Sequence, residues 1–121
     1  MDVLLVDDEA LVRGLVSEKL TDDGLKVTEA VSGEEALSIA EASGPPRVLV
    51  TDVNLGSGID GLQLAAELHR RCPSAGVVIM TGNPAYVGHR PCNDNERFLT
   101  KPFDSTMLVT AVRELVGRPI R

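Results

Sequence analysis

The feature that most constrains this chain is a set of short, predominantly apolar runs that each stop at a polar residue. The run at 3–6 is followed at once by acidic residues. The run at 48–51 ends at Asp52, and the run at 77–80 ends at Thr81. Apolar runs of this length without polar alternation are typical of strands buried on both faces, as in a parallel sheet covered by helices.

Segments with helical spacing separate these runs. A weaker strand is predicted at 27–30 and a last strand at 98–100, which gives five strands alternating with about five helices. The helix expected between 83 and 95 has the weakest pattern and is predicted to be short or frayed. The first helix carries its apolar residues at helical spacing, at Leu11, Val12, Leu15, Val16 and Leu20. Since right-handed crossovers place helices on both faces of a parallel sheet, the pattern predicts a doubly wound three-layer α/β sandwich.

Length and charge narrow the class of protein. The chain has 121 residues, which suits a single domain over 1–121. Acidic residues outnumber basic ones by 18 to 12, and this negative field argues against direct binding to nucleic acid or to a membrane surface. Cys72 and Cys92 are too few for a disulfide framework. No secretion signal or run long enough to span a bilayer is present, so a cytoplasmic location is expected.

Several polar residues follow the predicted strands directly. Asp7 and Asp8 follow the first strand, Asp52 and Thr81 end two others, and Lys101 follows the last. Ligands of open parallel sheets bind outside the carboxyl ends of the strands, where the strand order reverses. If the acidic strands are neighbours, three carboxylates converge there, and oxygen-only ligands favour Mg²⁺, with Mn²⁺ as the alternative. Glu34 and Glu35, by contrast, are interpreted as solvated residues in the first turn of a helix.

Four motifs lie in order behind these strands: Val-Asp-Asp at 6–8, Thr-Asp at 51–52, Met-Thr-Gly at 80–82 and Thr-Lys-Pro-Phe at 100–103. Together they resemble the receiver domain of two-component response regulators, and the resemblance covers the whole chain. It implies a flavodoxin-like fold whose five parallel strands have the order 2-1-3-4-5. The loop after Asp52 carries one residue more than many receivers have, a feature similar to receivers attached to hybrid histidine kinases.

The resemblance also implies an acidic site. Asp52 corresponds to the residue that accepts a phosphoryl group. Asp8 corresponds to a direct Mg²⁺ ligand, and Asp7 to a ligand that acts mainly through water. The backbone carbonyl of Asn54 would complete the metal site together with Asp52.

Four further positions match residues that respond to the phosphoryl group. Thr81 corresponds to the switch hydroxyl, and Lys101 to the lysine that pairs with the phosphoryl group. The bond before Pro102 is implied to be cis. Phe98 lies at the aromatic switch position, where many receivers have a tyrosine.

The resemblance implies that a histidine kinase or a histidine phosphotransfer protein donates a phosphoryl group to Asp52 in the presence of Mg²⁺. A surface would then switch and bind a downstream partner protein, and a weak or phosphorylation-dependent homodimer is left open. Such a domain catalyses only its own phosphotransfer and dephosphorylation, so it is not a conventional enzyme. Whether the domain stands alone or is part of a larger kinase or regulator is also left open.

Two other function classes use related residues. Phosphatases of the haloacid-dehalogenase type also combine an aspartate nucleophile, a lysine and Mg²⁺, but they carry an Asp-x-Asp pair after the first strand. Here Asp52-Val53-Asn54 follows the third strand and lacks the second acid. A binding module that has lost phosphorylation is the other alternative, and the complete set of acidic residues argues against it.

Overall fold

Five parallel strands form the centre of the computed structural model, which describes residues 1–82, 95–101 and 104–117. The strands are β1 (Val3–Val6), β2 (Val27–Ala30), β3 (Val48–Asp52), β4 (Gly76–Thr81) and β5 (Glu96–Thr100). Their order in the sheet is β2-β1-β3-β4-β5. The predicted strand order is therefore confirmed, and β1 and β3, which lead into the acidic residues, are neighbours.

The helices of the described ranges are α1 (Ala10–Asp22), α2 (Gly33–Ser43), α3 (Gly61–Arg71) and α4 (Ser105–Val116). Side-chain caps define where three of them begin. The Ser32 hydroxyl accepts a hydrogen bond from the Glu35 N–H at 3.1 Å, and the Asp104 carboxylate accepts one from the Met107 N–H at 2.9 Å. Asp60 and Gln63 form a reciprocal capping box at the start of α3.

Alternate residues of the sheet enter two separate cores. Leu4 and Val6 of β1 pack in a cluster that includes residues of α2 and α3. Val3 and Leu5 pack in a second cluster with residues of α1 and α4. Because successive side chains of a strand point to opposite faces, a central strand with helices on both sides must be apolar throughout. The three-layer sandwich predicted from the apolar runs is confirmed.

The apolar pattern of the first helix was only partly informative. Leu20 is fully buried, whereas Leu11 is 77% exposed and Leu15 is 57% exposed. Val16 and Leu20 are four residues apart and form one stripe of α1, and Leu11 and Leu15 form a second stripe, rotated by about 100°. Only the stripe with Val16 and Leu20 packs against the core, so the helix predicted from the spacing is present but only part of its apolar set is buried.

Two predictions fall outside the described residues. One is the short or frayed helix expected across 83–95, a range of which the structure describes only Asn95. The other is the cis bond before Pro102. The last strand begins at Glu96, two residues earlier than its apolar run suggested. Within the three described ranges, no helix combines the length and the apolar character needed to cross a membrane.

Candidate functional site

Strand register brings the predicted polar residues to one edge of the sheet. Val6 of β1 lies opposite Thr51 of β3, so Asp7 and Asp52 both come next at the carboxyl edge. Thr81 of β4 lies opposite Thr100 of β5. The N–H of Lys101, the next residue, donates a hydrogen bond to the Thr81 carbonyl at 2.7 Å. The edge is therefore formed by the ends of β1, β3, β4 and β5, as the sequence predicted.

Asp52 and Lys101 form an ion pair at this edge. The Lys101 Nζ lies 2.5 Å from Asp52 Oδ2, although the two residues are 49 positions apart in the sequence. The second carboxylate oxygen, Oδ1, accepts a hydrogen bond from the Asn54 N–H at 3.2 Å. Asp52 is only 7% exposed, so its charge interacts with these groups with limited screening by water.

The ammonium group of Lys101 is held in its charged form by the acidic edge. Partial burial by itself lowers the pKa of Lys101, but the hydrogen bond to Asp52 and the negative charges of Asp52, Asp7 and Glu9 outweigh it and raise the pKa above its usual range. A permanently charged lysine at this position can neutralise an anionic group that is attached to Asp52.

Asp7 is the most deeply buried acid of the site, at 1% exposure. Its Oδ1 accepts a hydrogen bond from the Glu9 N–H at 2.9 Å, whereas its buried Oδ2 has no hydrogen-bond partner. Burial raises the pKa of Asp7, the hydrogen bond from Glu9 offsets part of this shift, and the charge of Asp52 adds to it. A buried, unpartnered carboxylate oxygen beside a second carboxylate is chemically suited to a hard cation such as Mg²⁺.

Asp8 differs from Asp7 in its surroundings. It is exposed, and its Oδ2 lies 3.3 Å from the position that a Cβ would occupy on Gly56 in the loop after Asp52. Across the described ranges, no three His, Cys, Asp or Glu side chains are grouped closely enough to hold a metal ion as they stand. Asp52 Oδ2 is bonded to Lys101 instead, so the predicted ligand set of Asp7, Asp8, Asp52 and the Asn54 carbonyl stays a prediction.

Thr81 and Phe98 occupy different parts of β4 and β5. Thr81 is 2% exposed and ends its strand at the acidic edge. Phe98 lies opposite Ile79, within the sheet, and its partly buried ring packs against the core that includes α2 and α3. The structure thus brings Thr81 to the site and leaves Phe98 in the layer beneath it.

Two residues that support the site were not recognised from the sequence. Glu34 is exposed, as its interpretation as a solvated residue predicted, but its Oε2 also accepts a hydrogen bond from the Ile59 N–H at 3.0 Å, in the loop that follows Asp52. Gly61 begins α3 in contact with the backbone of Asp52. The glycine-rich composition of residues 55–61 was a signal of close backbone approach, whereas nothing in the local sequence indicates the contact of Glu34.

Asp7→Asn is expected to raise the free energy of unfolding at neutral pH by about 1–3 kcal/mol, because it removes a buried charge with an unpartnered oxygen. The pKa of Asp7 is raised in the folded state, so the folded wild type holds this proton more tightly than the unfolded chain does. The contribution of Asp7 to the free energy of unfolding is therefore fully present below the unfolded pKa of about 4, and it is lost as the pH rises through the folded pKa. The advantage of the variant should therefore be small in acid and grow with pH, as measured by urea unfolding in the presence of a chelator.

Asp22→Asn provides the control for this pH series, because Asp22 is an exposed acid at the end of α1. Because this substitution lies on the surface, it should change the free energy of unfolding by less than about 0.5 kcal/mol. If Asp7→Asn were less stable than the wild type at neutral pH, the buried charge of Asp7 would not be destabilising and the prediction would be wrong.

The doubly wound sheet, with acids, a threonine and a lysine at its carboxyl edge, belongs to the flavodoxin-like class of α/β folds. The family model of the response regulator receiver domain matches residues 3–113. The chain therefore belongs to the response regulator receiver domain family.

Two curated relatives and two solved structures illustrate the similarity. The chain is 36% identical over 119 residues to the sensor kinase CckA of Brucella abortus and 35% identical over 123 residues to the transcriptional regulatory protein FixJ of Azorhizobium caulinodans. These alignments cover 96% and 98% of this chain, but only 12% of the kinase and 56% of FixJ. The chain thus spans one part of each relative.

The structural matches cover nearly all of both chains. A response regulator receiver protein from Sinorhizobium medicae has a TM-score of 0.86 at 31% identity, and the match covers 95% of this chain and 93% of that one. The receiver domain of the hybrid histidine kinase CckA has a TM-score of 0.78 at 34% identity, with coverages of 95% and 98%. The predicted family and fold are confirmed.

Proposed function

We propose that this domain accepts a phosphoryl group on Asp52, with Mg²⁺, from a histidine kinase or a histidine phosphotransfer protein, and that this modification switches a partner-binding surface. The observation that carries the proposal is the Asp52–Lys101 ion pair, in which a buried carboxylate lies 2.5 Å from a partly exposed ammonium group, beside the unpartnered Asp7 Oδ2. A cytoplasmic location, where such donors are found, is part of the same proposal.

The proposed transfer is a displacement at phosphorus. A carboxylate oxygen of Asp52 attacks the phosphorus of the donor's phosphohistidine, so the new O–P bond forms as the P–N bond breaks and the electron pair leaves with the imidazole. The Asn54 N–H orients one oxygen of Asp52. Lys101 already contacts the other oxygen, and its ammonium group then pairs with an oxygen of the transferred phosphoryl group.

Mg²⁺ fits the chemistry of the acids at this edge. Asp7, Asp8, Asp52 and the backbone carbonyl of Asn54 would hold the ion, and Mg²⁺ would supply positive charge to the oxygens of the phosphoryl group. All four donors are oxygens, and Asp7 contributes the buried oxygen that lacks a partner in the described part of the chain. The ion would also relieve the repulsion between Asp7 and Asp52.

The response to phosphorylation is proposed to begin at Thr81. Its hydroxyl belongs to the buried end of β4, next to Lys101, and would bond to the phosphoryl group once that group is present. Movement of Thr81, with adjustment of Phe98 on the adjacent strand, would change the surface beyond β4 and β5 and favour binding of a downstream protein or of a second copy of the domain. The chain would turn over no external substrate.

Intact-protein mass after incubation with acetyl phosphate, with and without Mg²⁺, tests this function. We expect one phosphoryl group per chain, and only when Mg²⁺ is present. Mass is the appropriate readout because the chain has no tryptophan and a single tyrosine, Tyr86, so quenching of tryptophan fluorescence cannot report binding.

Two other results would contradict the proposal. Sustained release of inorganic phosphate from a phosphate ester, over many turnovers, would indicate the phosphatase alternative. Absence of both a mass change and Mg²⁺-dependent binding of beryllofluoride would indicate a binding module that has lost phosphorylation.

A further inference from the structure

The loop between β3 and α3, residues 53–60, is attached to the first turn of α2. Glu34 of α2 accepts a hydrogen bond from the Ile59 N–H at 3.0 Å through its Oε2. This bond lowers the pKa of Glu34, so the side chain is a carboxylate at neutral pH. The contact joins residues that are 25 positions apart and links helix α2 to the loop before α3.

The loop backbone runs directly against the carboxylate of Glu34. Gly58 has φ +87°, and a Cβ on this residue would lie 2.6 Å from Glu34 Oε2 and 2.8 Å from Oε1. On the α2 side, a Cβ on Gly33 would lie 2.4 Å from Cγ1 of Ile59. The absence of side chains at Gly33 and Gly58 therefore allows the loop and the helix to approach closely enough for the hydrogen bond.

Val53, Leu55 and Ile59 of the loop pack against the core, whereas the two glycines between them restrict the backbone weakly. Gly56 and Gly58 both have positive φ, a region that glycine reaches without strain but does not favour over others. The loop is held at its start by the bond from the Asn54 N–H to Asp52 and at its end by the capping box of Asp60. Glu34 holds it between these two points, from a different helix.

We propose that Glu34 is a positioning residue that sets the Mg²⁺ affinity of the site by holding loop 53–60 and, through it, the carbonyl of Asn54. The inference rests on the proposed function, in which that carbonyl is a metal ligand. Without Glu34, the loop would be free to adopt other conformations before Mg²⁺ binds. Binding would then have to order the loop, which costs conformational entropy, so the dissociation constant for Mg²⁺ would rise. Glu34 touches neither the metal nor the phosphoryl group, so the maximal labelling rate at saturating Mg²⁺ stays unchanged.

Calorimetric titration with Mg²⁺ of the wild type and of three variants tests this role. Glu34→Ala should raise the dissociation constant for Mg²⁺ severalfold, because the loop must then become ordered when the ion binds. Glu34→Gln keeps an acceptor oxygen and should restore most of the affinity. Glu41→Ala removes the same charge from an exposed position on the same helix and should bind like the wild type.

Amide NMR spectra provide a readout that needs neither metal nor phosphorylation. The Ile59 N–H should shift and exchange faster in Glu34→Ala and remain near its wild-type position in Glu34→Gln. Equal losses of Mg²⁺ affinity in Glu34→Ala and Glu41→Ala would overturn the proposal, because long-range charge would then explain both. An unchanged affinity in Glu34→Ala would also overturn it.

Failure of this inference is distinguishable from failure of the proposed function. Normal labelling on Asp52 with wild-type Mg²⁺ affinity in Glu34→Ala would overturn only the role of Glu34. A wild type that binds Mg²⁺ through Glu34-dependent positioning, but is never labelled, would overturn only the phosphoacceptor function. A wild type that binds no Mg²⁺ would overturn both.

Discussion

Asp52→Asn is expected to reduce labelling by acetyl phosphate to background, the largest functional effect that a single substitution of this chain should have. The amide is nearly the same size as the carboxylate, and its oxygen can still accept the hydrogen bond from the Asn54 N–H. It lacks the negative charge that makes the carboxylate a nucleophile and that pairs with Lys101. The variant should therefore keep the fold and lose the reaction, as measured by intact mass in the presence of Mg²⁺.

A second acid-to-amide substitution distinguishes the loss of the nucleophile from the loss of one negative charge. Asp22→Asn changes the net charge by the same amount at an exposed position on α1, away from the strand ends. It should be labelled to the same stoichiometry as the wild type. If Asp52→Asn were labelled as fully as Asp22→Asn, another side chain would be the acceptor and the assignment of Asp52 would be wrong.

The strand ends of this site were predictable from the sequence for a simple physical reason. The apolar runs of β1, β3 and β4 are buried on both faces, so their ends are well defined, and Asp52 and Thr81 fall at two of these ends. Lys101 follows β5, which is only partly buried and whose start was predicted two residues too late. Parallel strands in register then bring these ends to one edge. The strand order came from the family resemblance, because the apolar pattern is the same for a strand at any interior position of the sheet.

The contacts that the sequence left open are those made between distant segments. No periodicity connects Glu34 with Ile59, and the first turn of a helix is a common place for a solvated carboxylate. Similarly, α1 has two apolar stripes, and its sequence does not indicate that the one with Leu20 faces the core while the one with Leu15 faces solvent. Both questions depend on which neighbours the fold supplies.

Gly61→Ala is expected to lower the free energy of unfolding by about 3 kcal/mol or more, because the new methyl group would overlap backbone atoms. A Cβ on Gly61 would lie 2.0 Å from the carbonyl oxygen of Asp52 and 3.1 Å from the Thr51 Oγ1. The Gly61 N–H also donates to the Val53 carbonyl at 2.8 Å, so the start of α3 is held against the end of β3. Urea unfolding measures the change.

The overlap at Gly61 cannot be relieved by rotating a side chain. The Asp52 carbonyl belongs to a buried strand between β1 and β4, and it already accepts a hydrogen bond from the Thr51 hydroxyl at 2.9 Å. Either α3 or the end of β3 must move, and the second movement displaces the carboxylate of Asp52 from Lys101. Labelling by acetyl phosphate should therefore fall together with stability.

Gly14→Ala makes the same chemical change in a helix and is expected to have the opposite effect on stability. A Cβ on Gly14 meets no atom within 4 Å, and the residue lies in the interior of α1. Alanine reduces the conformational entropy of the unfolded chain, so it should raise the free energy of unfolding by roughly 0.4–1 kcal/mol. Labelling by acetyl phosphate should be unchanged. If Gly61→Ala and Gly14→Ala had the same stability, a methyl group at Gly61 would not overlap the backbone of β3, and the close approach of α3 to Asp52 would be disproved.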